Sequence, residues 1–249
     1  MADRLSGFEP GEDIANVAIP RPAFVMDGPS PTWVEIDKDL RASISFDNFY
    51  EWIRFQIESS QDNILVPPQS ASYSAEFKNG QESDAAVLVA ITSIQGKPSF
   101  LLTRRTIEMK NHSGQVSFCG GRREPGENPI ETALREAAEE VGLPSKLTKV
   151  HGTLTPISTI SRNATIVPVL ASLDELPQLT PNKYEVARIF TASISELWTG
   201  TTYHSETWRR ENEAGEEINV HFFDIEGETI WGATARIIVS LLESLAKVL

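Results

Sequence analysis

The sequence has a single cysteine among its 249 residues, so no disulfide bond can form within the chain. It has no apolar run of about 18 residues, the minimum that a membrane-spanning helix needs. The first ten residues also lack the basic start and apolar stretch of a secretory signal. These absences predict a protein of a reducing compartment that does not associate with membranes. The cytoplasm is the expected location, with the peroxisome or mitochondrion as alternatives in a eukaryote.

Basic residues are scarce as well. The sequence has 22 Lys and Arg against 35 Asp and Glu, which gives a net charge of −13. Broad nucleic-acid binding depends on neutralising many phosphates, so this charge argues against it. Residues 101–123 are an exception, since five basic side chains there face one acid, Glu108. A basic island in an acidic protein predicts a compact anionic ligand at one site. The alternative is a basic segment that only balances acidic neighbours.

No Walker loop, G-x-G-x-x-G sequence or cysteine–histidine zinc spacing is present. A helix is instead well marked at about 129–141. Asn128 is a good N-cap, Pro129 suits the first helical position, and Glu131 lies where a capping-box acid reaches back. Gly142 can supply a left-handed C-cap. The segment therefore carries its own start and stop signals.

Three acids of this helix, Glu136, Glu139 and Glu140, are spaced so that they share one face. Like charges at this spacing destabilise an isolated helix by a few tenths of a kcal/mol per pair. A hard cation reverses that penalty, because oxygen ligands are what Mg²⁺ prefers. The pattern thus predicts a metal site, and the alternative is a solvated acidic helix face.

The segment resembles the Nudix box, whose pattern is G-x5-E-x7-R-E-U-x-E-E-x-G-U with U usually apolar. The positions that fit are Gly121, Glu127, Arg135, Glu136, Glu139, Glu140 and Gly142. The resemblance implies a Nudix-type α/β/α sandwich with a mixed sheet, and metal-dependent hydrolysis of a nucleoside diphosphate. It implies Mg²⁺ or Mn²⁺ held by Glu136, Glu139 and Glu140, with Glu127 assisting. Arg135 would orient carboxylates of the box, and we count it among the catalytic residues.

Residues 101–121 resemble a second motif, L-L-T-x-R-[SA]-x3-R-x3-G-x-[VI]-x-F-P-G-G, which marks coenzyme A diphosphatases within the Nudix superfamily. The chain departs from it at Thr106, Lys110 and Cys119. The resemblance implies cleavage of coenzyme A or acyl-coenzyme A into adenosine 3′,5′-bisphosphate and 4′-phosphopantetheine or its acyl form. The substrate-binding residues would be Arg104, Arg105, Lys110, Gly120 and Gly121. We expect the two glycines to let the backbone turn tightly and approach a phosphate closely.

Several alternatives stay open at this point. The substrate could be another nucleoside diphosphate derivative, such as ADP-ribose, NADH or a dinucleoside polyphosphate, and the chain could instead be a noncatalytic nucleotide-binding regulator. Glu136, Glu139 and Glu185 are candidates for the general base. The aromatic residues Trp208, Phe222 and Phe223 could stack on adenine or belong to a core. A homodimer is a further expectation.

The chain divides, in our interpretation, into an N-terminal extension (1–83) without an assigned function and a Nudix hydrolase domain (84–249). Helical spacing of apolar residues predicts one helix at about 45–59 in the extension. In the domain, the strands predicted are 85–94, 99–103, 149–155, 164–173 and 218–225, and the first two are joined by a turn at 95–98. Helices are predicted at 183–197 and 230–248. Strands interleaved with helices indicate an α/β layered fold.

Overall fold

The strands of the computed structural model fall into two sheets. The structure describes residues 19–36, 38–58, 64–66, 85–108, 112–159, 164–209, 215–225 and 227–247. The strands are β1 Val25–Asp27, β2 Leu65–Val66, β3 Ala85–Ile94, β4 Lys97–Arg105, β5 Val116–Ser117, β6 Cys119–Arg122, β7 Lys149–Leu154, β8 Ile157–Ser158, β9 Thr165–Leu173, β10 Val186–Ser193, β11 Tyr203–Arg209, β12 Glu217–Ile225 and β13 Glu228–Trp231. The helices are α1 Lys38–Ala42, α2 Phe46–Glu58, α3 Pro129–Val141, α4 Ile194–Leu197 and α5 Gly232–Ala246, with short 3-10 turns at Thr32–Glu35 and Ser145–Leu147.

The main sheet is mixed and has the strand order β10-β4-β3-β9-β7-β2. β3 and β9 pair in parallel, and their neighbours pair antiparallel. β3 pairs with β4 over its second half but with β6 over its first half, while the end of β4 pairs with β5. The sheet therefore forks at this end, and β5 and β6 fill the gap between β3 and β4.

Helices cover both faces of this sheet. Alternation along β3 sends Leu88 to one face, where it packs with Ala133 and Ala137 of α3. It sends Val89 to the other face, where the cluster includes Ile238 of α5. The fold is thus an α/β/α sandwich around a mixed sheet, as the resemblance implied. No helix in the described ranges is long and apolar enough to cross a membrane.

The second sheet is antiparallel, with the strand order β1-β11-β12-β13. Both faces of this sheet hold aromatic side chains that the solvent barely reaches. Trp208 is 7% exposed, and Phe222 and Phe223 are fully buried. These three residues therefore belong to cores and are not available to stack on a nucleotide.

The described part of the N-terminal extension packs on the rest of the chain. The predicted helix at 45–59 is confirmed as α2, Phe46–Glu58. Trp52 on α2 is fully buried, and its indole N–H donates to Ser244 Oγ of α5 at 3.0 Å. β1 joins the second sheet and β2 joins the main sheet. The boundary between 83 and 84 stays a prediction, because residues 67–84 lie outside the described ranges.

Three predictions about elements differ from the structure. The segment 183–197 is mainly strand β10, and only Ile194–Leu197 is helical. Pairing with β4 on the edge of the sheet overrides the local helical pattern. The turn at 95–98 is shorter than predicted, since Gln95 and Gly96 alone form it, with φ of 51° and 79°. The helix predicted at 230–248 is α5, but its first residues belong instead to β13, which pairs with β12.

Candidate active site

Helix α3 begins and ends where its sequence signals lie. The Asn128 side chain accepts the backbone N–H groups of Ile130 (2.9 Å) and Glu131 (3.1 Å). The Glu131 carboxylate in turn accepts the Asn128 N–H at 2.8 Å, which completes the capping box. Gly142 closes the helix in the left-handed conformation, with φ of 68°. These caps fix which side chains of α3 face the fork of the sheet.

Arg135 lies at the centre of the acidic face and holds three carboxylates. It binds Glu127 with two parallel contacts, Nε to Oε1 at 2.7 Å and Nη2 to Oε2 at 3.1 Å. Its Nη1 donates to Glu136 Oε1 at 2.9 Å and to Glu139 Oε2 at 3.1 Å. The hydrogen bond from Arg135 is the main cause that lowers the pKa of Glu127 to about 2. Arg135 therefore contacts Glu139 in addition to Glu127 and Glu136, and its role of orienting these carboxylates stays a prediction.

Glu140 faces the sheet and is buried, with 2% of its side chain exposed. Its Oε1 lies 3.4 Å from Arg105 Nη1 on β4, and its Oε2 accepts the Gly120 N–H at 3.3 Å. Burial raises the pKa of Glu140 to about 7, although the charge of Arg105 opposes the shift. The thiol of Cys119 is buried beside this carboxylate, and burial raises its pKa as well. One arginine of the basic segment therefore meets the acidic helix directly.

Gly120 and Gly121 lie in strand β6, and neither has the left-handed backbone of a tight turn. The expectation of a tight turn was wrong, because both residues pair with β3 in extended conformation. A Cβ on Gly121 would fall 2.4 Å from the Glu136 carboxylate, so the missing side chain makes room for that acid. Burial is the main cause that raises the pKa of Glu136. A Cβ on Gly120 would meet the Ala86 carbonyl oxygen at 2.4 Å.

The loop before β10 brings a further acid to the site. The Asn182 N–H donates to the Glu140 carbonyl at 2.8 Å, and the Thr106 N–H donates to the Glu185 carbonyl at 2.9 Å. The negative charge of Glu185 contributes to the raised pKa values of Glu136 and Glu140. Glu185, distant in sequence, is thus near two box carboxylates in the fold.

The remaining predicted residues lie elsewhere. Arg104 is next to Arg105 on β4 but points to the opposite face, where its Nη1 lies 3.4 Å from Glu228 Oε1. Arg188 of β10 shares that oxygen at 2.8 Å. Sequence reasoning missed Arg188 and Glu228, since neither belongs to a motif. Lys110 lies outside the described residues.

The donor set of this site suits a hard divalent cation, because it consists of carboxylate oxygens. Within the described ranges, no three acidic, histidine or cysteine side chains already converge as metal ligands. Arg135 explains this, since it binds Glu127, Glu136 and Glu139 and so replaces a cation as their partner. Glu136 and Glu140 are both desolvated and the charge of Glu136 raises the pKa of Glu140, so a cation between them would offset this repulsion. The residues present therefore fit the metal that the box implies.

Comparison with known proteins identifies the family of the chain. The NUDIX domain family matches residues 82–207. The chain is similar to an uncharacterized Nudix hydrolase NudL of Photorhabdus laumondii, 38% identical over 64% of this chain and 83% of the relative. It is 35% identical to a protein of the same name from Yersinia pestis, over 78% of this chain and 92% of the relative. A solved Nudix hydrolase from M. smegmatis, RenU, covers 45% of this chain and 70% of its own at 26% identity, with a TM-score of 0.39.

The chain belongs to the Nudix family and is a Nudix hydrolase. Members of this family generally use divalent metal ions and act on nucleotide-like substrates. Their characteristic box is the segment whose caps, arginine and carboxylates are described above.

Proposed function

We propose that this chain hydrolyses the diphosphate bond of coenzyme A or acyl-coenzyme A, giving adenosine 3′,5′-bisphosphate and 4′-phosphopantetheine or its acyl form. The main support is the contact between Arg105 and Glu140. Arg105 belongs to the motif at 101–121 and Glu140 to the box, so the two motifs meet in one site. The segment 101–123 carries five basic residues against one acid, so Arg105 belongs to a cationic stretch of sequence suited to an anionic substrate.

The cofactor in this proposal is Mg²⁺ or Mn²⁺, held by Glu136, Glu139 and Glu140, with Glu127 as an outer ligand. A bound ion of this kind neutralises developing oxyanion charge and makes hydroxide available near neutral pH. Arg135 fixes the carboxylates in position through its contacts of 2.7 to 3.1 Å. Gly120 holds Glu140 by its backbone N–H, and Gly121 leaves room for Glu136.

The general base comes, in this proposal, from Glu136, Glu139 or Glu185. Glu139 is 57% exposed and paired with Arg135, whereas Glu185 is held by Asn182 at 3.1 Å and lies near two buried carboxylates. Substituting each by glutamine and comparing kcat as a function of pH distinguishes them. With a general base, kcat rises with pH as the base loses its proton. Loss of this rise in only one variant identifies the base.

The proposed substrate is tested by measuring kcat/KM with Mg²⁺ for coenzyme A, acetyl-coenzyme A, ADP-ribose, NADH and diadenosine tetraphosphate. We expect the two coenzyme A compounds to be preferred, with release of adenosine 3′,5′-bisphosphate. A clear preference for another compound would overturn the coenzyme A assignment and leave the Nudix hydrolase assignment intact. Binding without turnover of any compound would favour the noncatalytic regulator.

The proposal also includes a cytoplasmic protein that binds no nucleic acid and forms a homodimer. The buried free thiol of Cys119 is compatible with a reducing compartment. The net charge of −13 opposes contact with a polyphosphate backbone. Light scattering of the purified chain tests the dimer.

A further inference from the structure

Two arginines lie directly opposite each other at the fork of the main sheet. Arg188 of β10 and Arg104 of β4 are cross-strand partners. Like charges in this position destabilise a sheet unless something compensates them. Glu228, at the start of β13, provides part of the compensation, because its Oε1 accepts from Arg188 at 2.8 Å and from Arg104 at 3.4 Å.

The compensation is incomplete, since one carboxylate faces two guanidinium groups and a net charge of +1 remains. Glu228 is inside, with 4% of its side chain exposed, while Arg104 and Arg188 are 25% and 43% exposed. A guanidinium has five N–H donors, and in the described part of the chain each of these two donates one hydrogen bond, to Glu228. The surplus positive charge and the free donors therefore face the solvent.

Both guanidinium groups are also held in place. Glu228 fixes them from below, and Arg188 lies over the ring of Phe190, 5.2 Å from its centroid. A tether between β13 and the sheet would need one arginine only, so the second arginine adds repulsion without improving that role. Paired guanidinium groups with free, fixed donors match the oxygens of a phosphate or a carboxylate. A phosphate monoester offers three such oxygens and the larger negative charge.

This arginine pair lies close to the active site along the chain. Arg104 precedes Arg105 on β4, and consecutive strand residues point to opposite faces. Arg105 contacts Glu140 on the face of α3, while Arg104 contacts Glu228 on the face of α5. Both side chains stand at the end of β4, where the sheet forks. The arginine pair therefore lies at the same end of β4 as the contact with the box, but on the opposite face of the sheet.

We propose that Arg104 and Arg188, positioned by Glu228, bind a phosphate monoester of the substrate that is separate from its diphosphate. Given the proposed function, on which this identification of the ligand rests, that group is the 3′-phosphate of coenzyme A. The pair then determines specificity, because it distinguishes coenzyme A from nucleoside diphosphate derivatives that lack a further phosphate. It contributes to substrate affinity and does not act on the reacting atoms.

The experiment compares wild type with Arg104→Gln and Arg188→Gln in two assays. Metal-free calorimetry measures the Kd values of adenosine 3′,5′-bisphosphate and AMP, and steady-state kinetics measures kcat/KM for coenzyme A and 3′-dephospho-coenzyme A. We expect wild type to prefer the compound with the 3′-phosphate in both assays, and each variant to lose roughly 10- to 100-fold of that preference. Affinity for AMP and turnover of dephospho-coenzyme A should fall much less than affinity for the bisphosphate and turnover of coenzyme A.

Matched variants separate binding from folding. Arg209→Gln removes an exposed arginine of the second sheet that pairs with Glu217 at 2.8 Å, and it should leave the preference unchanged. The double variant Arg188→Gln/Glu228→Gln leaves no unpaired buried carboxylate, so it should fold well and still lack the preference. Arg188→Lys keeps the positive charge but lacks the planar guanidinium group. Its preference for the 3′-phosphate should lie between those of wild type and Arg188→Gln.

The outcomes distinguish this inference from the proposed function. Suppose that coenzyme A is cleaved, but that the arginine variants keep the wild-type ratio of kcat/KM between coenzyme A and its dephospho form. The phosphate site is then wrong and the proposed function stands. If coenzyme A is not cleaved, yet binding of the bisphosphate over AMP depends on both arginines, the phosphate site stands and the substrate assignment is wrong. Equal wild-type affinity for the bisphosphate and AMP would overturn the inference directly.

Discussion

Glu140 illustrates at the scale of one residue how a site is kept ready for a cation. Its carboxylate is buried, and the pKa rises from 4.5 to about 7, with burial as the main cause. The folded, metal-free protein therefore favours the protonated acid. The stability that the protonated Glu140 side chain contributes is fully present below pH 4.5. This contribution is lost as the pH rises through about 7. The shift corresponds to a free energy on the order of 3 kcal/mol.

We predict that Glu140→Gln removes this pH dependence and lowers turnover by orders of magnitude. Glutamine keeps the size of the side chain but has no charge to desolvate, so the metal-free variant should be as stable as wild type at pH 5 and more stable at pH 8. Denaturant unfolding of chelator-treated protein at both pH values measures this. The same fall in stability between pH 5 and pH 8 in both proteins would contradict the role of Glu140.

The two neighbouring glycines should respond differently to substitution by alanine. A Cβ on Gly121 meets the Glu136 carboxylate, the far end of a flexible side chain, so Gly121→Ala should fold normally and lose roughly 100-fold in kcat/KM. A Cβ on Gly120 meets Ala86 O at 2.4 Å and Val87 Cα at 2.7 Å, so Gly120→Ala should lose about 1–3 kcal/mol of stability. Thermal unfolding and turnover of both variants test the contrast, and equal effects would refute it.

Residues of the box could be predicted because they lie within one continuous segment, where helical spacing decides which side chains meet. Glu136, Glu139 and Glu140 share a face for that reason. The contact of Arg188 with Glu228 spans 40 residues and depends on the register of two strands. No spacing in the sequence indicates it, so the arginine pair emerged only from the fold.

At the scale of one element, helix α3 depends on its N-cap. We predict that Asn128→Ala lowers the free energy of unfolding by about 1 kcal/mol, since two backbone N–H groups lose their acceptor. Asn128→Asp keeps the acceptor and is the matched control, with stability close to wild type. Denaturant unfolding compares the three proteins. Wild-type stability of Asn128→Ala would show that tertiary contacts alone fix the start of the helix.

Strong local signals explain why α3 was predicted to the residue, whereas 183–197 was assigned to the wrong class. The latter segment has helix-forming residues, and its strand conformation comes from its partner β4. Its alternating burial, with Val186, Phe190 and Ala192 inside, follows from that pairing. Edge strands of this kind are decided by tertiary contacts that a single sequence does not display.

At the scale of the whole molecule, the N-terminal extension contributes to the main core. We predict that Trp52→Ala lowers the free energy of unfolding by about 3–5 kcal/mol, because the indole is fully buried and bonded to Ser244 of α5. Phe55→Ala, on the same helix but at a side chain 42% exposed, should change it by less than about 0.5 kcal/mol. A small effect of Trp52→Ala would mean that the extension folds apart from the domain.

The sandwich itself was predictable, since the box and the predicted strands both indicated it. The second sheet was not, because β1 comes from the extension and pairs with β11 far along the chain. Only one of its strands, at 218–225, was recognised in the sequence.

The short connection between β3 and β4 has a consequence for the order in which the molecule assembles. Gln95 and Gly96 both adopt positive φ, which matches the right-handed twist of the two strands. A hairpin of this kind closes within about 1–10 μs. The parallel partner of β3 is β9, which follows α3 and β7 in the chain. The strands that carry Arg105 and border Gly120 can therefore meet while the carboxylate helix is still being made. During synthesis on a ribosome, the basic part of the catalytic centre would form before its acidic part.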